Sequence, residues 1–180
     1  MSDYYTGAGD SGKSGILGRQ GIDKTEDIFE AEGAIDELNS WIGLASYYVE
    51  NDHIRSVLKQ IQNNIFSIGA RLAYANKESA KVKEFGEEHT KRLEQEIEAM
   101  SKSLPEPKEF VIPAGCEGAL HLHVARTVAR KAERRVLRLS KTQEIDPGIK
   151  SYLNRLSTYL YVAALYLNRS EGITEEHPKY

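Results

Sequence analysis

The sequence predicts an all-α protein, an up-and-down bundle of five helices. Apolar residues recur at intervals of three and four in five separate stretches, which is typical of amphipathic helices. No stretch alternates convincingly between apolar and polar residues, so no strand is predicted. The chain has 180 residues, of which 40% are hydrophobic and 28% charged, and this is enough for one domain with a buried core.

The first two predicted helices follow a glycine-rich start. Thr25 precedes two acidic residues, a pattern typical of an N-cap, so the first helix is expected over residues 25–50. Asp52 is expected to cap the second helix, which continues to about residue 74. Isoleucines and leucines recur on one face of each helix, which predicts that both helices pack against a shared core.

Three further helices are predicted after a charged connector. The third covers residues 86–103, is more polar, and ends at prolines, because proline cannot continue a helix. The fourth covers residues 117–141. Asp146 precedes a proline suited to the first helical position, so the fifth helix is expected to start there and to run to about residue 168.

The chain is expected to divide into three parts. Residues 1–24 contain six glycines and should form a loop, residues 25–170 the bundle, and residues 171–180 a mobile tail. A single cysteine, Cys116, excludes an intrachain disulfide and favours a reducing compartment, so a cytoplasmic location is expected. No apolar run reaches membrane-spanning length, so no membrane partner is expected.

The glycine-rich loop fits the phosphate-binding pattern G-x-x-x-x-G-K-S/T at residues 7–14. In that pattern backbone N–H groups surround phosphates, the lysine adds charge and the hydroxyl meets Mg²⁺. A P-loop NTPase is disfavoured, because the pattern normally follows a strand of a parallel sheet and only six residues precede Gly7. Two interpretations stay open: a loop that holds a triphosphate with Lys13, Ser14 and Lys24, or a disordered tail.

The fourth predicted helix carries a stripe of charge. At about 100° per residue, Arg126, Arg130, Glu133 and Arg134 fall on one arc, while the valines and alanines fall on another. The planar fork of arginine donors suits phosphate and carboxylate groups. The alternative is a solvated face on which neighbouring charges pair along the helix.

The sequence offers no metal site built from protein side chains. His121 and His123 lie about 200° apart on a helix and cannot share a metal ion. Cys116 has no zinc-site spacing relative to them. We therefore expect a cysteine in the core and two ordinary polar histidines on the helix.

Four segments, in this order, resemble the ATP:cob(I)alamin adenosyltransferases of the propanediol-utilisation type. They are YTGAGDSG at 5–12, EAEGAIDELNS at 30–40, ARTVARKAERRV at 125–136 and YLNRLS at 152–157. The resemblance spans nearly the whole chain and implies a five-helix bundle, a homotrimer and active sites between subunits. It implies adenosyl transfer from MgATP to the cobalt of a reduced corrinoid, which is the substrate, with release of triphosphate and a reductase as a further partner.

The loop and the resemblance together imply an ATP site, in which Arg130, Glu133 and Arg134 would also be catalytic. The expected ATP-binding residues are Thr6, Gly7, Ala8, Gly9, Lys13, Ser14, Gly15, Lys24, Arg130, Lys131, Ala132, Glu133, Arg134 and Asn154. No side-chain nucleophile is expected, because Co(I) itself attacks C5′ of ATP. The cationic residues would stabilise the leaving triphosphate, and Mg²⁺ would bind mainly to phosphate oxygens.

The resemblance also implies roles outside the ATP site. Asp36 and Arg126 would form an ion pair between subunits, and Phe110 would crowd the lower face of the corrinoid. Displacing the lower axial ligand makes Co(I) easier to reach, since axial ligation tunes the redox potential of a metal. The chain departs from the family pattern at Thr158, Tyr161 and Leu165, where Asp, Phe and Arg are common.

Two other functions compete with this interpretation. A nucleic-acid binder could use the basic residues of the fourth helix, but they point around more than half of that helix and the net charge is −3. No nucleic-acid partner is therefore expected. A regulator that binds nucleotide or corrinoid on the same fold, without turnover, stays open.

Overall fold

The computed structural model describes residues 7–74 and 83–179. It contains a two-stranded hairpin followed by five helices, which confirms the predicted bundle. The elements are β1 (Lys13–Ile16), β2 (Arg19–Asp23), α1 (Asp27–Tyr48), α2 (Asp52–Leu72), α3 (Glu88–Ser101), α4 (Glu117–Leu139) and α5 (Pro147–Ser170). Within the described residues, no helix combines the length and the apolar character needed to cross a membrane.

Helix α4 lies between α1 and α5, while α2 packs on α1 and α3 packs on α5. Asp27 at the start of α1 contacts Arg138 at the end of α4, so these two helices are antiparallel. Cys116, the N-cap residue of α4, is hydrogen-bonded to Asn168 near the end of α5, so this pair is antiparallel too. The fourth helix is therefore the central element of the bundle.

Small side chains allow α4 to pack between two helices. Ala119, Ala125, Ala129 and Ala132 are completely buried. The side chains at a helix–helix contact set the distance between the two helix axes. Because alanine is small, these residues allow the neighbouring helices to approach α4 closely. Larger leucines and isoleucines from the neighbouring helices complete the core. This packing fixes which face of α4 stays open to solvent.

A buried ion pair joins three segments at one end of the bundle. Arg71 donates from Nε and Nη2 to the two carboxylate oxygens of Asp146, at 2.8 and 3.0 Å. The backbone N–H of Phe85 donates to the same carboxylate at 3.3 Å. Asp146 is the N-cap residue of α5, as predicted, but its side chain forms no cap hydrogen bond. Arg71 and Phe85 occupy the carboxylate instead.

The other two predicted N-caps are wrong by one residue. The N-cap position of α1 is Glu26, which forms no side-chain cap, and Thr25 donates its N–H and hydroxyl to Asp23. The cap of α2 is Asn51 rather than Asp52, because the Asn51 side-chain oxygen accepts from the first turn of the helix at 3.0 Å. At α1 the Thr25 hydroxyl is used by Asp23, and at α2 the adjacent Asn51 side chain takes the backbone donor of the first turn.

The hairpin is an element that the sequence pattern did not predict. Gly18 forms the turn with φ 91°, and β1 and β2 pair in antiparallel fashion. Ile16 and Ile22 are buried against the bundle, and Leu17 N–H donates to the carbonyl of Ala73 at 2.9 Å. Strands of four and five residues with two buried side chains are too short to show a readable alternation.

The C-terminal tail lies against the loop between α3 and α4. Ile112 N–H donates to the carbonyl of Glu176 at 2.7 Å, and Ile173 N–H donates to the carbonyl of Asn168 at 2.8 Å. The Asn168 side chain is completely buried and donates to Ala114 O at 3.0 Å. These bonds place the tail beside the loop, whereas its expected mobility stays a prediction.

We expect Asp146→Ala to lower the free energy of unfolding by about 3–5 kcal/mol, because the buried Arg71 guanidinium loses its two hydrogen bonds to the Asp146 carboxylate. The measurement is urea unfolding followed by circular dichroism. Asp52→Ala is the control, since Asp52 is 93% exposed in its ion pair with Arg55. That change should cost about 1 kcal/mol or less. Equal losses in the two variants would contradict a structural role for the buried pair.

Candidate functional site

The glycine-rich segment before β1 closes onto Lys24. Gly7 and Gly12 have φ of 72° and 77°, conformations that favour glycine. Asp10 N–H donates to Gly7 O at 3.1 Å and Gly12 N–H to Gly9 O at 3.2 Å, so the segment forms two successive turns. The Lys24 ammonium donates to Gly9 O at 2.8 Å, which places its charge on the loop backbone.

The other loop residues predicted to hold phosphate lie nearby in the chain. Ala8 and Lys13 are exposed, and Ser14 is half-buried in β1. Gly15 packs so closely on a glutamine of β2 that a Cβ there would lie 2.1 Å from the glutamine oxygen. Thr6 lies outside the described residues. The loop thus combines exposed backbone, a hydroxyl and two lysines, a chemistry suited to phosphate.

The open face of α4 presents two guanidinium groups without ion-pair partners. Arg130 and Arg134 are exposed and form no ion pair within residues 7–74 and 83–179. Between them, Glu133 accepts a hydrogen bond of 2.9 Å from the side-chain amide of Asn154 on α5. The structure therefore brings these four predicted residues onto one surface of α4 and α5.

Three other basic residues of α4 face α1 instead. Three ion pairs join the helices: Lys131 with Glu37, Arg135 with Glu30 at 3.3 Å, and Arg138 with Asp27 at 2.8 Å. The predicted ATP-binding residue Ala132 is completely buried in the core, so its side chain cannot line an open site. The residues expected on α4 for ATP binding therefore separate onto three faces of the helix.

A pocket of about 690 Å³ lies between the loop 107–113, α4 and α5. Phe110 lines it and is 79% exposed, an unusual position for a phenylalanine. Arg126 and Arg130 line the pocket from α4, and Thr158 and Tyr161 line it from α5. Two of the three departures from the family pattern are therefore found in the pocket that holds Phe110.

Arg126 is half-buried, and its Nε has no hydrogen-bond partner among the described residues. Burial, and then the nearby charge of Arg130, lower the pKa of the Arg126 guanidinium. Its Cζ lies 6.0 Å from the ring centroid of Tyr161, within the range of a cation–π contact. Asp36 lies in a different groove, between α1 and α2, and is exposed. The predicted ion pair does not form within one chain.

The glycine-rich loop and the arginine stripe also share no polar contact within one chain. In the part of the chain that the structure describes, no hydrogen bond or ion pair joins residues 7–24 to Arg130 or Arg134. The loop is fixed by the hairpin to the end of α2. The two parts of the predicted ATP site are thus not connected by a polar contact among the described residues.

His123 is the residue that the sequence analysis undervalued. It is only 3% exposed, lines the Phe110 pocket, and has no partner for either ring nitrogen among the described residues. The expectation of an ordinary polar residue is wrong for this histidine. His121 instead stacks on Tyr48 with ring centroids 4.2 Å apart. A signal was available, because residues three apart lie on one face of a helix and His123 precedes Arg126 by three.

Comparisons with known proteins agree with this geometry. Residues 4–167 match the family described as Cobalamin adenosyltransferase. The corrinoid adenosyltransferase of Bacillus subtilis (strain 168) is 40% identical over 173 residues, which cover 94% of this chain and 88% of the relative. The Homo sapiens corrinoid adenosyltransferase MMAB is 36% identical over 178 residues, which cover 96% of this chain and 71% of the relative.

Solved structures show the same fold. One is a phenylalanine-to-alanine variant of a PduO-type ATP:corrinoid adenosyltransferase from Lactobacillus reuteri, complexed with cobalamin and ATP. It is 34% identical, with a TM-score of 0.92 and coverage of 98% of this chain and 99% of that chain. An arginine-to-lysine variant complexed with ATP has a TM-score of 0.88 at 34% identity, and covers 97% and 99% of the two chains.

The family match covers most of the chain, and the relatives match along nearly its whole length. The resemblance inferred from four sequence segments is therefore confirmed. The chain belongs to the cobalamin adenosyltransferase family.

Proposed function

We propose that this chain transfers the 5′-deoxyadenosyl group of MgATP to the Co(I) of a reduced corrinoid and releases triphosphate. One observation carries the proposal for this chain: Arg126 and Arg130, which form no ion pair among the described residues, line a pocket that also holds the exposed Phe110. The Lactobacillus reuteri structures, by their names, contain cobalamin and ATP, and this supports the same pair of substrates here.

The reaction needs charge stabilisation more than a side-chain nucleophile. The cobalt of the substrate supplies the electron pair that forms the Co–C5′ bond, and the C5′–O bond of ATP breaks. Triphosphate leaves with the electrons of that bond, so its negative charge increases. Arg130 and Arg134 would meet this charge from α4, where no carboxylate of residues 7–74 or 83–179 forms an ion pair with them. Glu133, held by Asn154, would bind the sugar or orient the arginines.

The glycine-rich loop would bind the triphosphate of ATP. Its exposed backbone, Lys13 and the Lys24 ammonium at the loop backbone suit an anionic ligand. Mg²⁺ neutralises phosphate charge when it is bound. Among the described residues, no group of three or more His, Cys, Asp or Glu side chains could hold a metal ion. Phosphate oxygens and water would be its main ligands.

A second copy of the chain would complete the site. The loop and the arginine stripe share no polar contact among the described residues, and Asp36 and Arg126 lie in different grooves. The groove that holds Asp36 also contains Asn39, which is buried and whose Oδ1 has no partner among the described residues. Unpaired polar atoms in two different grooves support an interface between copies. We propose that this assembly is the homotrimer that the resemblance implies.

Two further expectations belong to the same proposal. A reductase would supply the electron that forms Co(I), and the single, partly buried Cys116 suits the reducing environment of the cytoplasm. The nucleic-acid alternative is less favoured, because three basic residues of α4 are paired with carboxylates of α1. A regulator without turnover differs from an enzyme in forming no alkyl–cobalt product, which absorption spectroscopy of cobalamin detects.

We expect Arg130→Ala to lower kcat by about 100-fold or more with MgATP and chemically reduced cobalamin, because a preorganised donor to the leaving group is lost. Arg138→Ala is the matched control. It removes the same charge from the same helix, but from a residue paired with Asp27. Its rate should stay within about twofold of the unmodified chain. Equal rates for the two variants would contradict the proposed role of the stripe.

We expect Phe110→Ala to slow adenosylation from Co(II) with a reductant more than adenosylation of prereduced Co(I), while ATP affinity is unchanged. The reason is that Phe110 would displace the lower axial ligand and ease reduction. Calorimetry of ATP binding and the two rates measure these quantities. Ile112→Ala, a change in the same loop at a residue that is 39% exposed, is the control. Equal slowing of both rates by Phe110→Ala would contradict this role and would indicate that Phe110 acts only in packing.

We expect Asp36→Asn and Arg126→Lys each to weaken assembly or activity by about 2–5 kcal/mol, if the pair is buried between copies. Lysine fails because a point charge cannot reproduce the bidentate fork of arginine. The double variant should lose little more than either single variant. Analytical ultracentrifugation and activity measure the cycle, and strictly additive losses would falsify the pairing.

A further inference from the structure

Buried polar atoms without partners point to one more residue of the site. In the described part of the chain, five buried side-chain atoms lack a hydrogen-bond partner, and two of them are the ring nitrogens of His123. A buried polar group left unsatisfied is unfavourable, so such groups are rare and often await a ligand. His123 has the further property that it borders an open pocket rather than a closed core.

The surroundings of His123 belong to the corrinoid side of the site. The ring centroid of Tyr161 lies 6.2 Å away, and Arg126 follows one turn later on α4. The same pocket contains Phe110 and the apolar Val111. Arg134 is not among the residues that line this pocket. Arg130, which would meet the triphosphate, also lines the pocket, but it lies about two helical turns beyond His123 on α4.

The histidine is uncharged at neutral pH. Burial, and then the charge of Arg126, lower the pKa of His123 to about 4. A neutral imidazole has one N–H donor and one acceptor nitrogen. It is a poor partner for a triphosphate, which requires donors and positive charge. It is a good partner for a primary carboxamide, which offers both an N–H donor and a carbonyl acceptor.

We propose that His123 is a substrate-binding residue that hydrogen-bonds a peripheral carboxamide of the corrinoid. Corrin rings carry primary carboxamides along their edge, and these reach beyond the apolar ring face. A ring held against Phe110 would present such an edge to the wall formed by His123, Arg126 and Tyr161. This inference rests on the proposed function, since it assigns a residue to the corrinoid of that reaction.

The test compares His123→Phe with His123→Gln. Phenylalanine keeps a planar ring but has no nitrogen, whereas glutamine keeps a donor and an acceptor. We expect His123→Phe to weaken the binding of cobalamin by about tenfold, with ATP affinity unchanged, and we expect His123→Gln to retain part of the affinity. Because the phenyl ring leaves no unsatisfied nitrogen, the melting temperature of the ligand-free protein should stay the same or rise.

Tyr159→Phe is the matched control. It also removes a buried polar atom without a partner in the described residues, but Tyr159 does not line the Phe110 pocket. Cobalamin affinity should be unchanged in this variant. Unchanged cobalamin affinity in His123→Phe would overturn the proposal. So would a parallel loss of cobalamin affinity, ATP affinity and melting temperature, because that pattern indicates a purely structural histidine. If the unmodified chain neither binds cobalamin nor forms an alkyl–cobalt product, the proposed function itself fails.

Discussion

The packing of α4 between α1 and α5 is the constraint on which the rest of the structure depends. Four completely buried alanines let α4 contact both neighbours. The side chains of a helix have fixed angular positions, so this contact determines where each remaining residue of α4 points. Basic residues on one flank reach α1, and those on the other reach the pocket beside α5. The site is thus a consequence of how the helix is buried.

Some basic residues of α4 form ion pairs with α1, whereas others form none among the described residues. The three ion pairs with α1 are partly exposed, and pairs in contact with solvent contribute about 1 kcal/mol or less each. Their main effect is to neutralise the positive charge on the flank of α4 that faces α1. Arg130 and Arg134 keep theirs, and Arg126 and His123 have buried nitrogens without partners in the described residues. Leaving such groups unsatisfied costs about 1–3 kcal/mol each, which a substrate or a second copy would recover.

Helical periodicity predicted most of the fold, because long amphipathic helices repeat their pattern over five or six turns. The hairpin was missed since Ile16 and Ile22 are its only buried side chains. The caps at Thr25 and Asp52 were misplaced by one residue, because Thr25 donates to Asp23 and the adjacent Asn51 caps α2. Asp146 was correctly predicted as the N-cap residue of α5. Its ion pair with Arg71 was not predicted, because Arg71 is distant in the sequence and no local pattern reveals such a partner.

The candidate site was predicted less completely than the fold. Sequence spacing placed Arg130, Glu133 and Arg134 on one face, and the structure agrees. Spacing could not reveal that Lys131 pairs with α1 or that His123 is buried beside the pocket, because both facts depend on neighbouring helices. It also could not show that the loop and the stripe share no polar contact among the described residues of one chain. These features depend on how the helices pack, and residue type alone does not predict them.

The central claim is that one site combines the loop of one copy with the α4 stripe of another. Mixing two inactive variants tests it directly: Lys24→Ala, which alters the loop, and Arg130→Ala, which alters the stripe. After the subunits are exchanged by reversible dissociation, random assembly should leave about one quarter of the sites with both halves intact, so adenosylation should return to about that fraction. If the mixed sample stays as inactive as its components while the oligomers exchange subunits, the loop and the stripe act within one chain and the account is contradicted.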